Sequence, residues 1–123
     1  MSKADNGPIL VVEDEPHTRY VVSSLLEAEG YRVGSAGDRA EAMETALTLR
    51  PSLVILDWML PDGNGEQLAA SLRVDHPDVR FVVVTADGRA REKAESVRAR
   101  GHLQKPFRLD DLLALVSAAL SGP

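Results

Sequence analysis

Short, unbroken apolar runs punctuate the chain at regular intervals: Ile9-Leu10-Val11-Val12, Leu53-Val54-Ile55-Leu56 and Phe81-Val82-Val83-Val84. A strand with one wet face alternates apolar and polar residues, whereas these runs do not, so they predict strands covered on both faces. The intervening stretches carry helical spacing. A first helix begins near Pro16, runs through Val21, Val22, Leu25 and Leu26, and stops at Gly30, a residue suited to a left-handed exit. Tyr31-Arg32-Val33 reads as a second strand. Asp38 is an N-cap for a helix burying Ala42, Met43, Ala46, Leu47 and Leu49, which Pro51 ends. Leu68, Ala69 and Leu72 mark a third helix, and a charged fourth runs from about Ala90 to Arg100, closed by Gly101. A short strand at His102-Leu103-Gln104 precedes a last helix faced by Leu109, Leu112, Leu113, Leu115, Val116 and Leu120.

Alternation of strand and helix predicts an α/β fold, a doubly wound five-stranded parallel sheet with helices on both faces. Residues 9–120 form the domain, 1–8 a flexible lead-in and 121–123 a tail or cut linker. At 123 residues there is room for one core and no second domain. No apolar run approaches the ~20 residues of a bilayer span, and there is neither a cysteine nor a secretory leader, so a cytoplasmic setting is the default. A formal charge of −5 disfavours direct nucleic-acid binding and leaves proteins as the expected partners.

Chemistry collects where the strands end. Glu13 and Asp14 follow the first strand, Asp57 ends the third, Thr85 ends the fourth and Lys105 follows the fifth. In an open parallel sheet, ligands bind at the carboxyl ends of strands, and right-handed crossovers bring these ends together. Taken singly, each residue has a plain explanation: the acids favour a helix N-terminus, Asp57 a turn, Lys105 a solvated charge. Their joint occurrence favours one pocket. Two carboxylates ~5 Å apart repel by about 3 kcal/mol at an effective dielectric near 20, so the cluster needs compensating charge. Mg²⁺, a hard cation that accepts carboxylates and a phosphate, fits, with Mn²⁺ an acceptable substitute. Asp57 would then attack a phosphoryl group in line, with Lys105 and the Thr85 hydroxyl on the phosphoryl oxygens.

These residues resemble those of the receiver domains of bacterial two-component response regulators, over nearly the whole chain. The resemblance implies a flavodoxin-like (βα)5 fold with strand order 2-1-3-4-5, Asp57 as phosphoacceptor, and Glu13, Asp14, Asp57 and the Met59 backbone carbonyl as metal ligands. It further implies Thr85 as switch hydroxyl and Lys105-Pro106-Phe107 as a lysine-proline turn with a cis peptide. The donor would be a histidine kinase or histidine phosphotransfer protein. Output would pass to a downstream protein through the surface of helix four, strand five and helix five, with a phosphorylation-linked dimer as one form of it. Such a domain catalyses only its own phosphorylation and dephosphorylation.

Two departures stand out. His102 replaces the family's usual Tyr or Phe, a smaller titratable ring that would couple only weakly to Thr85. Met59 and Asp87 hold the positions that govern phosphoryl lifetime, and neither positions water well, so slow loss is expected. Trp58 reads as a partly exposed contact residue, and Arg89, Arg91, Lys93, Arg98 and Arg100, set against Glu92 and Glu95, read as a solvated face or as a basic patch that could steer an acidic partner. A haloacid-dehalogenase-type phosphohydrolase would need an acid where Met59 stands, and a nucleotide module would need glycines or hydroxyls where Glu13-Asp14-Glu15 stands. A phosphorylation-independent interaction domain of the same fold, or a fragment of a longer regulator or hybrid kinase, remains the alternative.

Overall fold

Four-residue apolar segments can be buried on both faces only if their backbone groups pair along both edges, and here they do. The computed structural model describes residues 3–122. Five strands, β1 (Ile9–Val12), β2 (Val33–Ala36), β3 (Leu53–Asp57), β4 (Arg80–Thr85) and β5 (Gly101–Gln104), form one parallel sheet in the order β2-β1-β3-β4-β5. The helices are α1 (Pro16–Ala28), α2 (Arg39–Leu49), α3 (Gly65–Asp75), α4 (Ala90–Ser96) and α5 (Leu109–Leu120). This is the predicted doubly wound arrangement.

Period-two geometry divides each strand between two cores. Leu10, Val12, Val54, Leu56, Phe81 and Val83 pack beneath α2, α3 and α4, while Ile9, Val11, Leu53, Ile55, Val82 and Val84 pack against α1 and α5. Every residue of β1 and β3 is buried. Each such side chain contributes roughly 1.5–3 kcal/mol, which makes the central strands the most secure part of the scaffold. They are also the strands that present the acids.

Asp38 caps α2 as expected, accepting from the Glu41 N–H at 2.7 Å, and Gly30 adopts φ +99 at the exit of α1. Other boundaries move. The second strand starts at Val33 because Tyr31 is drawn into the α1–α5 core, its N–H bonded to the Leu26 carbonyl and its ring beneath the Lys3 ammonium. The fourth helix ends at Ser96: Val97 turns into the core and Arg98 takes φ +55, a left-handed exit on a non-glycine residue. Gly101 is therefore a strand residue, and a Cβ there would lie 2.4 Å from Leu115 Cδ1, so glycine lets α5 close on the sheet edge. The stretch 1–8 is folded from Lys3 onward, a short 3-10 turn over Lys3–Asn6 with Lys3 paired to Glu29 at 3.2 Å; Met1, Ser2 and Pro123 lie outside the described residues. Among the described residues, no helix is long and apolar enough to cross a membrane.

Candidate functional site

β1 and β3 are adjacent and in register, Val12 opposite Leu56, so the residues that follow them emerge side by side. β4 flanks β3 with Asp57 opposite Val84, and β5 flanks β4 with Gln104 opposite Thr85. The topology thus delivers Glu13, Asp14, Asp57, Thr85 and Lys105 to one edge of the sheet. Glu13, Asp14 and Asp57 each place a carboxylate oxygen within 4.8 Å of the others. Glu13 and Asp57 are buried and Asp14 is exposed, which leaves the cluster open on one side.

Lys105 is the counter-charge. Its Nζ hydrogen-bonds Glu13 Oε1 and lies 3.4 Å from Asp57 Oδ2, steered there by the turn after β5, where the Lys105–Pro106 peptide is cis. Two backbone groups complete the shell: the Glu15 N–H donates to Glu13 Oε2 at 3.1 Å, and the Met59 N–H to Asp57 Oδ1 at 3.4 Å.

One cation among three acids leaves the balance negative, and the titration of the groups reflects it. Burial pushes Asp57 up, and the hydrogen bond and negative charge of Glu13 push it further, to about 7; Lys105 and the Met59 N–H recover only part. For Glu13, burial is outweighed by hydrogen bonds from the Asp57 carboxyl, Lys105 and the Glu15 N–H, so it is held below the usual carboxylate range. Burial opposes the charge of Lys105 too, but Glu13 and Asp57 more than offset it and hold its pKa above the ordinary lysine value. The two neighbouring carboxylates are thereby pushed apart, Asp57 up and Glu13 down. A divalent cation would favour the ionised form of both. The donor set is all hard oxygen, with one exposed carboxylate and an open side, and it suits an ion such as Mg²⁺ that keeps part of its water shell.

Thr85 is buried, and its Oγ1 accepts the Asp87 N–H at 3.2 Å. The Asp87 carboxylate is engaged elsewhere, accepting from the Arg89 N–H at 2.9 Å and pairing with Lys93 Nζ at 2.8 Å. The Met59 side chain is 67% exposed. His102 is exposed on the edge strand, opposite Val83, two residues short of the partner of Thr85.

Trp58 corrects the expectation of a partly exposed contact residue. It is buried, with Gly65 against its ring, so that a Cβ at Gly65 would sit 2.8 Å from Trp58 Cε3, and the Lys93 ammonium lies 5.9 Å from the ring centroid. The reason lies just beyond Asp57, where Met59–Leu60 and Gly63–Asn64 form a small antiparallel hairpin that folds the loop back over the ring. Asp62, at its tip, accepts the Arg39 and Ala40 N–H groups at 2.7 and 3.0 Å and so ties the loop to the start of α2. Arg19 likewise braces the acidic loop, donating to the Glu13 carbonyl at 2.7 Å. The sequence reading missed both, since each acts on backbone groups of another segment; the only local signal was an acid in a turn and a basic residue one turn into a helix.

The description "Response regulator receiver domain" matches residues 9–117. The chain belongs to this family. Receiver relatives include the probable transcriptional regulatory protein TcrX of Mycobacterium tuberculosis, 34% identical over 98% of this chain and 53% of its own length. Another is the phosphate regulon transcriptional regulatory protein PhoB of Pseudomonas aeruginosa, 34% identical over 94% of this chain and 53% of its own length. The chain therefore spans about half the length of these relatives. Among solved receivers, the non-phosphorylated HemR receiver domain of Leptospira biflexa superposes with a TM-score of 0.86 at 32% identity, covering 95% of this chain and 96% of that one. TrrA of Thermotoga maritima, solved in complex with Mg(2+)-BeF, gives 0.79 at 32% identity, covering 90% and 96%.

Proposed function

We propose that the chain is a phosphoacceptor switch. Asp57 takes a phosphoryl group from a phosphohistidine on a histidine kinase or phosphotransfer protein, and the protein-binding surface changes in response. The observation that carries this reading is the buried Asp57 carboxylate at the open edge of the sheet, with Lys105 Nζ at 3.4 Å and oxygens of Glu13 and Asp14 within 4.8 Å. A solvated turn aspartate would need none of these neighbours.

Glu13, Asp14, Asp57 and the Met59 carbonyl are the proposed ligands of a divalent cation, which when bound supplies neutralising charge to the oxygens of the transferring phosphoryl group. In the mixed-anhydride step one ionised Asp57 oxygen bonds to phosphorus while the P–N bond of the donor breaks, its electron pair leaving on the imidazole nitrogen. Lys105 supplies a second positive charge on the same oxygens. Thr85 Oγ1, now accepting from Asp87, retains a proton to donate to a phosphoryl oxygen.

Movement of Thr85 toward the phosphoryl group would shift the loop after β4, and with it α4, β5 and α5, the proposed output surface and the face for any phosphorylation-linked dimer. His102 is proposed as a weak contributor to that shift and Met59 and Asp87 as the residues that set phosphoryl lifetime. A phosphorylation-independent interaction domain would not need three acids and a lysine gathered in one pocket. Intact mass spectrometry after incubation with acetyl phosphate and Mg²⁺ decides between them: native protein gains one phosphoryl group and Asp57→Asn gains none.

A further inference from the structure

A large cleft lies away from the acidic site. It lies at the opposite end of the sheet, where β4 and β5 begin, and encloses about 840 Å³. Four arginines line it, Arg73, Arg80, Arg98 and Arg100, against a single acid, Asp78. The chain as a whole carries −5, so this end opposes the net charge, and a concave wall concentrates the positive potential.

Arg80 spends two N–H groups on the carbonyls of Ala119 and Gly122, at 3.2 and 2.7 Å, and Arg100 has a partner of its own. Arg73 and Arg98 differ. Among the described residues, neither side chain makes a hydrogen bond or ion pair; Arg73 lies over the Phe81 ring, 4.8 Å from its centroid. Its half-buried charge is opposed first by burial and then by the nearby Arg98, which together hold its pKa below the ordinary arginine value. Arg98 itself is held at φ +55, a conformation costly for a residue with a side chain. Two uncommitted guanidinium forks, mutually repelling and one of them on a strained backbone, thus border one cavity.

We propose that this cleft binds a small polyphosphate anion, either inorganic or the phosphate tail of a nucleotide. Guanidinium forks match phosphoryl oxygens bidentately, and the volume falls within the roughly 300–1,000 Å³ typical of small-ligand sites. The aromatic ring beneath the cleft is covered by Arg73, so no platform is left for a base, and recognition falls on the phosphate chain. The site is separate from the phosphoacceptor and independent of its chemistry.

The test is a ¹⁵N NMR titration of the chain with sodium tripolyphosphate in metal-free, low-salt buffer containing EDTA, with ATP and AMP as parallel arms. The expected result is saturable binding with shifts centred on residues 73, 78 and 98, similar affinity for tripolyphosphate and ATP, and weak binding of AMP. Arg98→Gly, which relaxes the backbone while removing the charge, should weaken binding roughly tenfold, as should Arg73→Gln, while Arg91→Gln on α4 leaves it unchanged. Absence of saturable binding, unchanged affinity in Arg98→Gly, shifts centred on Lys105, or ATP binding far tighter than tripolyphosphate would each overturn the proposal.

Discussion

Replacing Asp57 by Asn should stabilise the protein in the absence of a divalent cation, although it removes the group on which the proposed function depends. The Asp57 carboxyl moves from 3.8 to about 7 on folding, because it is buried beside Glu13. That rise corresponds to ~4 kcal/mol of native-state penalty once the group is ionised. That raised value already carries the favourable contact with Lys105, 3.4 Å away. Solvent screening at the open side of the site reduces the gain to on the order of 2–4 kcal/mol, or ~6–16 °C in Tm at this chain length.

The pH dependence follows from the raised pKa. Below 3.8 the carboxyl is neutral in both folded and unfolded chains, and native protein and variant should be equally stable. Between 3.8 and about 7 the unfolded chain releases its proton first, so native stability falls relative to the variant; above about 7 the difference is constant. Urea unfolding at pH 4, 6 and 8 in EDTA, followed by far-UV circular dichroism, measures this directly. Adding Mg²⁺ at about ten times its Kd should recover ~1.4 kcal/mol for the native protein alone. Equal stabilities at pH 8, or a larger gain at pH 4 than at pH 8, would refute the electrostatic reasoning.

Lys105→Met removes the cation that competes for Glu13 and Asp57, so Mg²⁺ affinity, followed by Trp58 fluorescence, should rise severalfold while phosphorylation by acetyl phosphate slows; unchanged Mg²⁺ affinity would contradict the assigned charge balance. Gly65→Ala forces a methyl group to within 2.8 Å of the Trp58 ring and should cost about 1–3 kcal/mol by thermal unfolding, with a change in Trp58 emission; a neutral effect would show that the loop yields easily. Met59→Asn is expected to shorten the phosphoryl lifetime, because it exchanges an exposed apolar side chain two residues after Asp57 for one that can position water, and slower decay in that variant would overturn the assignment. His102→Ala, on an exposed edge position, should alter stability by less than about 0.5 kcal/mol, and unchanged partner affinity after phosphorylation would remove His102 from the switch.

Much of this was legible in the chain because its signals are local. A run such as Leu53–Leu56 has nowhere to go but between two covered faces, and in a parallel sheet its carboxyl end leads to the ligand edge, so Asp57, Glu13, Asp14, Thr85 and Lys105 could be placed before any coordinate. Boundaries were less legible. Tyr31 and Val97 lie in pieces whose period suits strand and helix, yet both side chains turn into the core, because burying a large apolar group outweighs one more residue of regular structure.

What the sequence determined by itself was the order of elements and the kind of atom at each strand end, since both follow from side-chain period and turn chemistry. Tertiary structure alone decided that burial beside Glu13 raises the Asp57 carboxyl to about 7, that Trp58 is buried beneath a hairpin, that Asp62 grips the start of α2, and that Arg73 and Arg98 face one cleft. Each of these depends on distances between residues far apart in the chain, and electrostatic and packing energies depend on those distances rather than on sequence separation.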